Sequence, residues 1–250
     1  MPFLIFIANT APASRYLNPV LPFVVLFAAW GLTRLVQRMG NSTPVYWILI
    51  ALAATPAVEA SLATDFFIRR DDTRTLARRY IETNLPAGST ILTQPYSAAL
   101  TPSREGLVEA LTKNLGSADR ASVKFQLQLS VDPYPAPAYR LIYLGRGGLD
   151  AEKIYVDPAE LSTSGIEPLR RLGVTYVLLK GYNTLDPETL QVRAVLAREG
   201  RIIARFSPYV AGRANVDPFL HNTDARIDPA LERPGPALDL WQIDDPGAKR

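Results

Sequence analysis

Two long runs without a charged residue constrain this chain more than any other feature. They extend from Tyr16 to Thr33 and from Met39 to Val58 in a sequence of 250 residues. Each approaches the roughly 20 residues with which a helix crosses about 30 Å of hydrocarbon. Neither run has a polar stripe at helical spacing, so both helices would be apolar on all sides. We therefore predict two membrane-spanning helices, at about 16–36 and about 44–64.

The alternative for these runs is a helical hairpin buried in a soluble core. The remaining chain is too small to enclose two such helices, which disfavours this alternative. Trp30, Tyr46 and Trp47 fall near the ends of the runs, where aromatic rings prefer the headgroup level of a bilayer. The sequence thus predicts a membrane region over 1–66 and a separate domain over 67–250.

The first eight residues, MPFLIFIA, are apolar but too short to span a membrane. They lack the basic start and the small-residue cleavage site of a signal peptide. This segment is typical of the end of a further membrane helix whose beginning lies upstream. We therefore expect the chain to be a fragment of a longer membrane protein.

After Asp65 the pattern changes to alternating helix and strand signals with an ordinary soluble composition. Helices are predicted from Asp71 or Asp72 to about Asn84, from Ser103 to Gly116, over Ile166–Leu172 and over Pro187–Glu199. Strands are predicted over Ser89–Thr93, Val123–Val131, Tyr139–Leu144, Val174–Leu179, Arg201–Phe206 and Leu238–Ile243. This order predicts an α/β sandwich around a largely parallel sheet.

Composition excludes several kinds of chemistry. The chain has no cysteine, which rules out disulfides, thiolate zinc sites and cysteine nucleophiles. Its single histidine, His221, rules out a paired-histidine metal motif and lies in a loop rich in proline and aspartate, with no nucleophile elbow nearby. The net charge of +3 comes from mixed charges and does not point to nucleic acid. We therefore assign neither a catalytic residue nor a metal site.

Three other features have two interpretations each. Gly145-Arg146-Gly147-Gly148 follows a predicted strand and resembles a phosphate-cradling turn, but its spacing fits no phosphate-binding motif and a plain turn is simpler. Asp71 and Asp72 form either a metal-binding pair or the N-cap of a helix, and the cap explains them better. Glu59, near the end of the second span, is a functional candidate or lies at the interface.

Arg15 and Tyr16 are the candidate binding residues. Arg15 lies just before the first span, in a segment that contains Pro19 and Pro22. An arginine at this boundary is well placed to hold a lipid phosphate through charge-assisted hydrogen bonds. The alternative is an interfacial arginine that extends to the headgroups and binds no ligand.

The segment Arg15–Pro22, RYLNPVLP, resembles the RYxxPxxP opening of a late membrane helix in polyprenyl-phosphate-dependent glycosyltransferases of the C superfamily. These are the enzymes of the protein O-mannosyltransferase and aminoarabinose-transferase type. Three further segments are similar to the extracytoplasmic tails of these enzymes: Asp72–Leu92 (DTRxLAxxYIExNLPxGSxIL), Leu169–Leu179 (LRRLGVxYVLL) and Arg233–Ile243 (RPGPxLxLWQI). The resemblance covers nearly the whole chain, and each motif is moderately specific.

The resemblance implies a multi-pass enzyme of the bacterial inner membrane that transfers a sugar from a polyprenyl-phosphate carrier to an acceptor outside the cytoplasm. It places the C-terminal domain outside, and it implies that Arg15, aided by Tyr16, contacts the carrier phosphate. The catalytic acidic residue of such enzymes lies in the first extracytoplasmic loop, which this chain does not include. The resemblance leaves open a divalent metal in the full-length enzyme, and the sugar and the acceptor.

Two other functions remain in consideration. One is a non-catalytic, membrane-anchored binding module whose α/β domain recognises a glycan or a partner protein. The other is a self-contained soluble α/β enzyme, which suffers from having no recognisable nucleophile, metal site or cofactor loop. Further upstream spans with an acidic first loop would favour the glycosyltransferase over the binding module.

Overall fold

Two of the described helices precede the α/β part of the chain. The computed structural model describes residues 20–38, 40, 43–148, 150–181, 187–213 and 227–243. Helix α1 extends over Leu21–Arg38 and helix α2 over Thr43–Ile68. Within the described residues, α2 belongs to the one helical segment that is long and apolar enough to cross a membrane. The sequence prediction of a span is thus supported for the second uncharged run.

Helix α2 differs from the core helix of a soluble protein in its exposure. It has 26 residues, and Phe67 is the one that is buried. At 1.5 Å per residue its length is about 39 Å, more than the roughly 30 Å of a hydrocarbon layer. The hydroxyls of Thr55 and Thr64 donate to the carbonyls of Ala51 and Ala60, at 2.7 and 2.8 Å. These two hydroxyls are therefore satisfied by the backbone of α2, as a lipid environment requires.

A six-stranded sheet forms the centre of the α/β part. Its strands are β1 Thr90–Thr93, β2 Arg140–Leu144, β3 Ile154–Val156, β4 Tyr176–Lys180, β5 Gly200–Phe206 and β6 Leu238–Ile243. Their order across the sheet is β3-β2-β1-β4-β6-β5. The first four strands are parallel, whereas β6 is antiparallel to both β4 and β5. The sheet is therefore mixed but mostly parallel, and the predicted α/β class is confirmed.

Six helices accompany the sheet: α3 Thr73–Asn84, α4 Arg104–Leu115, α5 Val123–Ser130, α6 Pro158–Ser164, α7 Glu167–Arg171 and α8 Pro187–Glu199. Side-chain caps fix several of their first turns. Ser103 accepts a hydrogen bond from the Gly106 N–H at the start of α4, and Gly116 ends that helix at φ 81°. The predicted ends of α4 and α8 agree with the structure, because capping and glycine signals are local.

The prediction of a strand over Val123–Val131 is wrong, since this segment forms helix α5. Its apolar residues alternate with polar ones, which is the usual pattern of a half-buried strand. In the structure Phe125 and Leu129 pack against a core cluster from one side of the helix.

Two elements of the structure were not predicted from the sequence. Strand β3 has three residues, too few to show an alternating pattern. Helix α6 has seven residues and begins at Asp157, whose carboxylate accepts a hydrogen bond from the Ala159 N–H at 2.8 Å. Both elements are stabilised by contacts distant in sequence, which local patterns do not reveal.

Hydrophobic side chains cover both faces of the sheet. On one face, strand residues such as Leu92, Ile142 and Leu179 pack with residues of α4, α6, α7 and α8. On the other face, Ala77 and Ile81 of α3 pack with the intervening strand residues. This alternation follows from the two-residue period of strand side chains. The described residues up to Arg70, with those between Tyr209 and Pro234, form one compact unit, and the sheet with its helices forms another.

The start of α3 is joined to the segment before β6. Asp72 caps α3 by accepting from the Arg74 N–H at 2.7 Å, and the buried Thr73 hydroxyl donates to the Pro236 carbonyl at 2.6 Å. Gly235 lies against both side chains with φ 103°. A Cβ atom at Gly235 would overlap the Thr73 hydroxyl and the Asp72 carboxylate. This close approach requires a glycine.

We predict that Gly235→Ala lowers the free energy of unfolding by about 3 kcal/mol, because it adds overpacking to backbone strain. Gly88→Ala separates the two effects, because Gly88 has φ 80° but open space around it. This variant is expected to lower the free energy of unfolding by about 1 kcal/mol. Gly148→Ala causes neither overpacking nor backbone strain, and it is expected to leave the free energy of unfolding unchanged. Urea unfolding of the chain in micelles, followed by circular dichroism, measures all three; equal stability of the three variants would contradict this packing.

Candidate functional site

The loops that follow β1 and β4 lie at the carboxyl end of two adjacent parallel strands. The chain leaves β1 towards β2 on one side, whereas β6 and β5 lie on the other side of β4. Connections that leave neighbouring parallel strands in opposite directions open a crevice, and α/β proteins bind ligands in such crevices. We refer to Gln94–Ser97 together with Lys180 as the β1–β4 edge.

Lys180, the last residue of β4, is bonded to the loop after β1. Its backbone N–H donates to Gln94 Oε1 at 2.7 Å, and its ammonium donates to the Pro95 carbonyl at 2.7 Å. The Ser97 hydroxyl donates to the Gln94 carbonyl at 2.7 Å and lies 2.5 Å from the Thr93 hydroxyl. These polar contacts hold the loop after β1 in one conformation.

Tyr96 is the unusual residue of this edge. It is the one described non-glycine residue with a positive φ, at 61°, and its side chain is 84% exposed. The left-handed conformation costs a residue with a Cβ atom about 1–2 kcal/mol, so such residues persist where the surroundings enforce them and often mark functional sites. The Lys180 ammonium lies 6.0 Å from the centre of the tyrosine ring. The edge therefore presents an aromatic face with a cation beside it.

A surface cleft of about 390 Å³ lies between the end of α4 and the loop that joins β2 to β3. Its polar lining includes Lys113, Asn114, Gly147, Asp150, Lys153 and Tyr155. The Asn114 amide donates to the carbonyls of Ala151 and Lys153, both at 2.9 Å. The end of α4 and the β2–β3 loop are thus fixed to each other. We call this feature the β2–β3 cleft.

Asp150 organises the charges of the β2–β3 cleft. One of its carboxylate oxygens accepts from the Lys153 ammonium at 2.8 Å and from the Tyr155 hydroxyl at 2.9 Å. The hydrogen bonds from Lys153 and then Tyr155 lower the pKa of Asp150. Burial acts to lower the pKa of Lys153, but the hydrogen bond and negative charge of Asp150 outweigh it, and this pKa is raised. Both groups are consequently charged at neutral pH, which suits binding rather than proton transfer.

The glycines after β2 lie beside the ring of Tyr155. A Cβ atom at Gly145 would lie 3.4 Å from the Tyr155 ring, and one at Gly147 would lie 3.9 Å from it. Among the described residues that follow, the next regular element is strand β3 and not a helix. A phosphate-binding loop would lead into a helix N-terminus. The structure therefore favours the plain turn over the phosphate cradle for Gly145–Gly148.

The remaining sequence candidates have different positions. Arg15, Tyr16 and His221 lie outside the described residues, and their roles stay predictions. Asp72 caps α3 and Asp71 pairs with Arg79 at 2.8 Å, which supports the cap over the metal pair. Glu59 is exposed on α2. The described residues include no group of three metal-ligating side chains.

Sequence reasoning missed the residues of both sites. Lys180 directly follows one predicted strand, and Tyr96 comes three residues after another. Their position at strand ends was the available signal for the β1–β4 edge. Asp150 and Lys153 are three residues apart in a segment where no element was predicted. Their pairing with Tyr155 becomes apparent only when β3 places the tyrosine beside them.

A scan of known protein families, a search of curated proteins and a search of solved structures returned no match to this chain.

We predict that Tyr96→Gly raises the free energy of unfolding by about 0.5–1 kcal/mol, since relief of the strained φ exceeds the entropy that glycine adds to the unfolded chain. Tyr96→Ala keeps the Cβ atom and should bring no gain. Urea unfolding of both variants in micelles tests this. If Tyr96→Gly is no more stable than Tyr96→Ala, the backbone at this position is not strained.

Proposed function

We propose that this chain is the C-terminal part of an integral-membrane glycosyltransferase of the bacterial inner membrane. The enzyme transfers a sugar from a polyprenyl-phosphate carrier to an acceptor outside the cytoplasm. The observation that carries the proposal is α2, an exposed apolar helix of 26 residues that leads within a few residues into an α/β domain. The resembling enzymes have the same order, a late membrane helix followed by one more span and an extracytoplasmic tail.

In this proposal α1 is a second span, and the protein is multi-pass. The large apolar side chains of α1 are as exposed as those of α2, namely Phe23, Val24, Val25, Leu26, Phe27, Trp30 and Leu35. The uncharged run that includes α1 begins at Tyr16. Side chains of this kind are stable in contact with lipid and unfavourable in contact with water.

The charges around the spans are divided: the arginines after α2, such as Arg69 and Arg70, favour the opposite orientation, but long domains translocate largely regardless of charge. Arg34 and Arg38 lie at the end of α1, before the start of α2, and no acidic residue accompanies them. Short loops rich in arginine stay in the cytoplasm. The α/β sandwich, which follows α2, then lies outside the cytoplasm. This placement agrees with the resemblance.

The α/β domain has a binding role in this proposal. The β2–β3 cleft offers an ionised carboxylate, a lysine ammonium and an asparagine amide within about 390 Å³. Such groups form hydrogen bonds with the hydroxyls of a saccharide. The transfer chemistry belongs to the acidic loop that the resembling enzymes carry near their start. We expect the chain alone to be inactive in sugar transfer.

A second candidate function is a non-catalytic membrane-anchored module that binds a glycan or a partner protein. The specific observation in its favour is the pairing of Asp150 with Lys153 and Tyr155, which lowers the pKa of Asp150 and keeps it an acceptor. A carboxylate held in this way is suited to recognition. The two candidates differ in whether the membrane region binds a carrier phosphate.

We predict that Arg15→Ala weakens binding of undecaprenyl phosphate by about tenfold to a hundredfold, because it removes a charge-assisted hydrogen bond worth about 1.5–3 kcal/mol. Binding is measured by tryptophan fluorescence of the full chain in lipid nanodiscs. Arg38→Ala is the matched control and should leave the affinity unchanged. Undecaprenol, which lacks the phosphate, should bind Arg15→Ala and the native chain equally.

The same experiment separates the two candidates. Discrimination between undecaprenyl phosphate and undecaprenol by the native chain, lost in Arg15→Ala, supports the glycosyltransferase. If the native chain does not distinguish the two lipids, the carrier site is absent and the anchored binding module becomes the better account. Sugar transfer by the purified chain from a polyprenyl-phosphate donor would refute the expectation that its catalytic group lies elsewhere.

A further inference from the structure

Helix α5 has apolar residues on both of its sides. They occur at every second position: Val123, Phe125, Leu127, Leu129 and Val131. Because a helix turns about 100° per residue, this alternation divides into two rows of residues four apart. Phe125 and Leu129 form the inner row and pack on a core cluster. The outer row is left facing away from the core.

The outer row is Val123, Leu127 and Val131, and we call it the apolar ridge. Its side chains are 69%, 63% and 44% exposed. Single exposed apolar residues are ordinary on a protein surface. Three apolar side chains aligned along a short helix and its C-cap residue form a continuous patch. Such patches mark surfaces that contact a partner or a membrane.

Cations surround the apolar ridge. Lys124 is exposed, with its ammonium 5.0 Å from the Phe125 ring centre, and Arg120 is exposed one turn before it. At the other end the Arg104 guanidinium donates to the Val131 carbonyl at 2.6 Å and lies 5.1 Å from the Tyr134 ring centre. The nearby carboxylates in sequence are Glu105, Asp119 and Asp132, as many as these cations, but helix α5 itself carries Lys124 and no acidic residue.

We propose that the apolar ridge inserts into the headgroup region of the anionic bilayer that holds α2. This inference rests on α2 lying in a membrane, as proposed above, but not on the sugar-transfer activity. An apolar row with Lys and Arg beside it and a tyrosine at its end is the arrangement of interfacial helices. Anionic lipid headgroups attract basic side chains at the membrane surface.

The short connection after α2 makes this contact feasible. Helix α2 ends at Ile68 and α3 begins at Thr73, a separation of at most about 17 Å when the chain is extended. The start of α3 therefore stays within this distance of the end of α2. Three apolar side chains bind a membrane weakly as a free peptide, but a tether raises their effective concentration at the surface and makes the contact persistent. A protein partner would instead require a matching groove.

The absence of cysteine allows a direct test with single-cysteine variants of the full chain. Leu127→Cys carries an environment-sensitive fluorophore on the ridge. Leu190→Cys, 46% exposed on α8, is the matched control, and Leu52→Cys reports on insertion of α2. Each is reconstituted into phosphatidylglycerol vesicles that contain lipids spin-labelled at the headgroup or deep in the acyl chain.

We expect headgroup spin labels to quench the Leu127→Cys fluorophore at least about twofold more than the Leu190→Cys fluorophore. The added changes Arg120→Gln and Lys124→Gln should reduce this quenching, as should phosphatidylcholine vesicles, because both remove the charge attraction. Equal quenching at the two positions would overturn the proposal. A fluorophore at position 127 that is shielded from water but not quenched by lipid would also overturn it and would indicate a protein partner.

The Leu52→Cys variant distinguishes the two possible failures. Deep spin labels should quench its fluorophore if α2 spans the bilayer. Without that quenching, the membrane placement of α2 fails and the ridge proposal fails with it. With that quenching, unquenched fluorescence at position 127 counts against the ridge alone.

Discussion

Helix α2 imposes the constraint on which the account of this protein depends. Most of its 26 residues are apolar and exposed, and the hydroxyls of Thr55 and Thr64 are satisfied by its own carbonyls. Such a surface is unfavourable in water over its whole length and favourable in lipid. If α2 spans a bilayer, the α/β domain that begins after a connection of four residues is tethered to the membrane surface. The domain would then bind any ligand at that surface.

The α/β domain presents its polar groups at loops that follow parallel strands. The β1–β4 edge combines a strained, exposed tyrosine with a lysine that hydrogen-bonds two neighbouring residues. The β2–β3 cleft combines Asp150 with Lys153 and Tyr155. At the edge the Lys180 ammonium donates to a backbone carbonyl, whereas in the cleft Asp150 and Lys153 pair with each other. This is the electrostatics of recognition, and it is compatible with a transfer site located in the membrane part of a larger enzyme.

The parts of the fold that local signals encode could be predicted from the sequence. Ser103 and Gly116 define the ends of α4, and the apolar run at Leu238–Ile243 coincides with β6. Helix α5 could not be predicted in this way, because its alternating pattern satisfies a strand equally well and the choice is made by Phe125 and Leu129 packing on α4. Tyr96 and Lys180 become a site only because β4 pairs with β1, a contact between distant segments. The apolar ridge has the same origin, since its exposure is a consequence of the helical conformation.

The most direct test of the central claim is the accessibility of single cysteines to a membrane-impermeant maleimide in spheroplasts. The chain has no native cysteine, so labelling has no background. Thr112→Cys reports on the α/β domain, and Gln37→Cys reports on the end of α1; both positions are exposed. We predict that Thr112→Cys is labelled in intact spheroplasts and that Gln37→Cys is labelled only after the membrane is permeabilised. Labelling of both positions without permeabilisation, or of Gln37→Cys alone, would contradict a membrane-spanning α2 with the domain outside the cytoplasm.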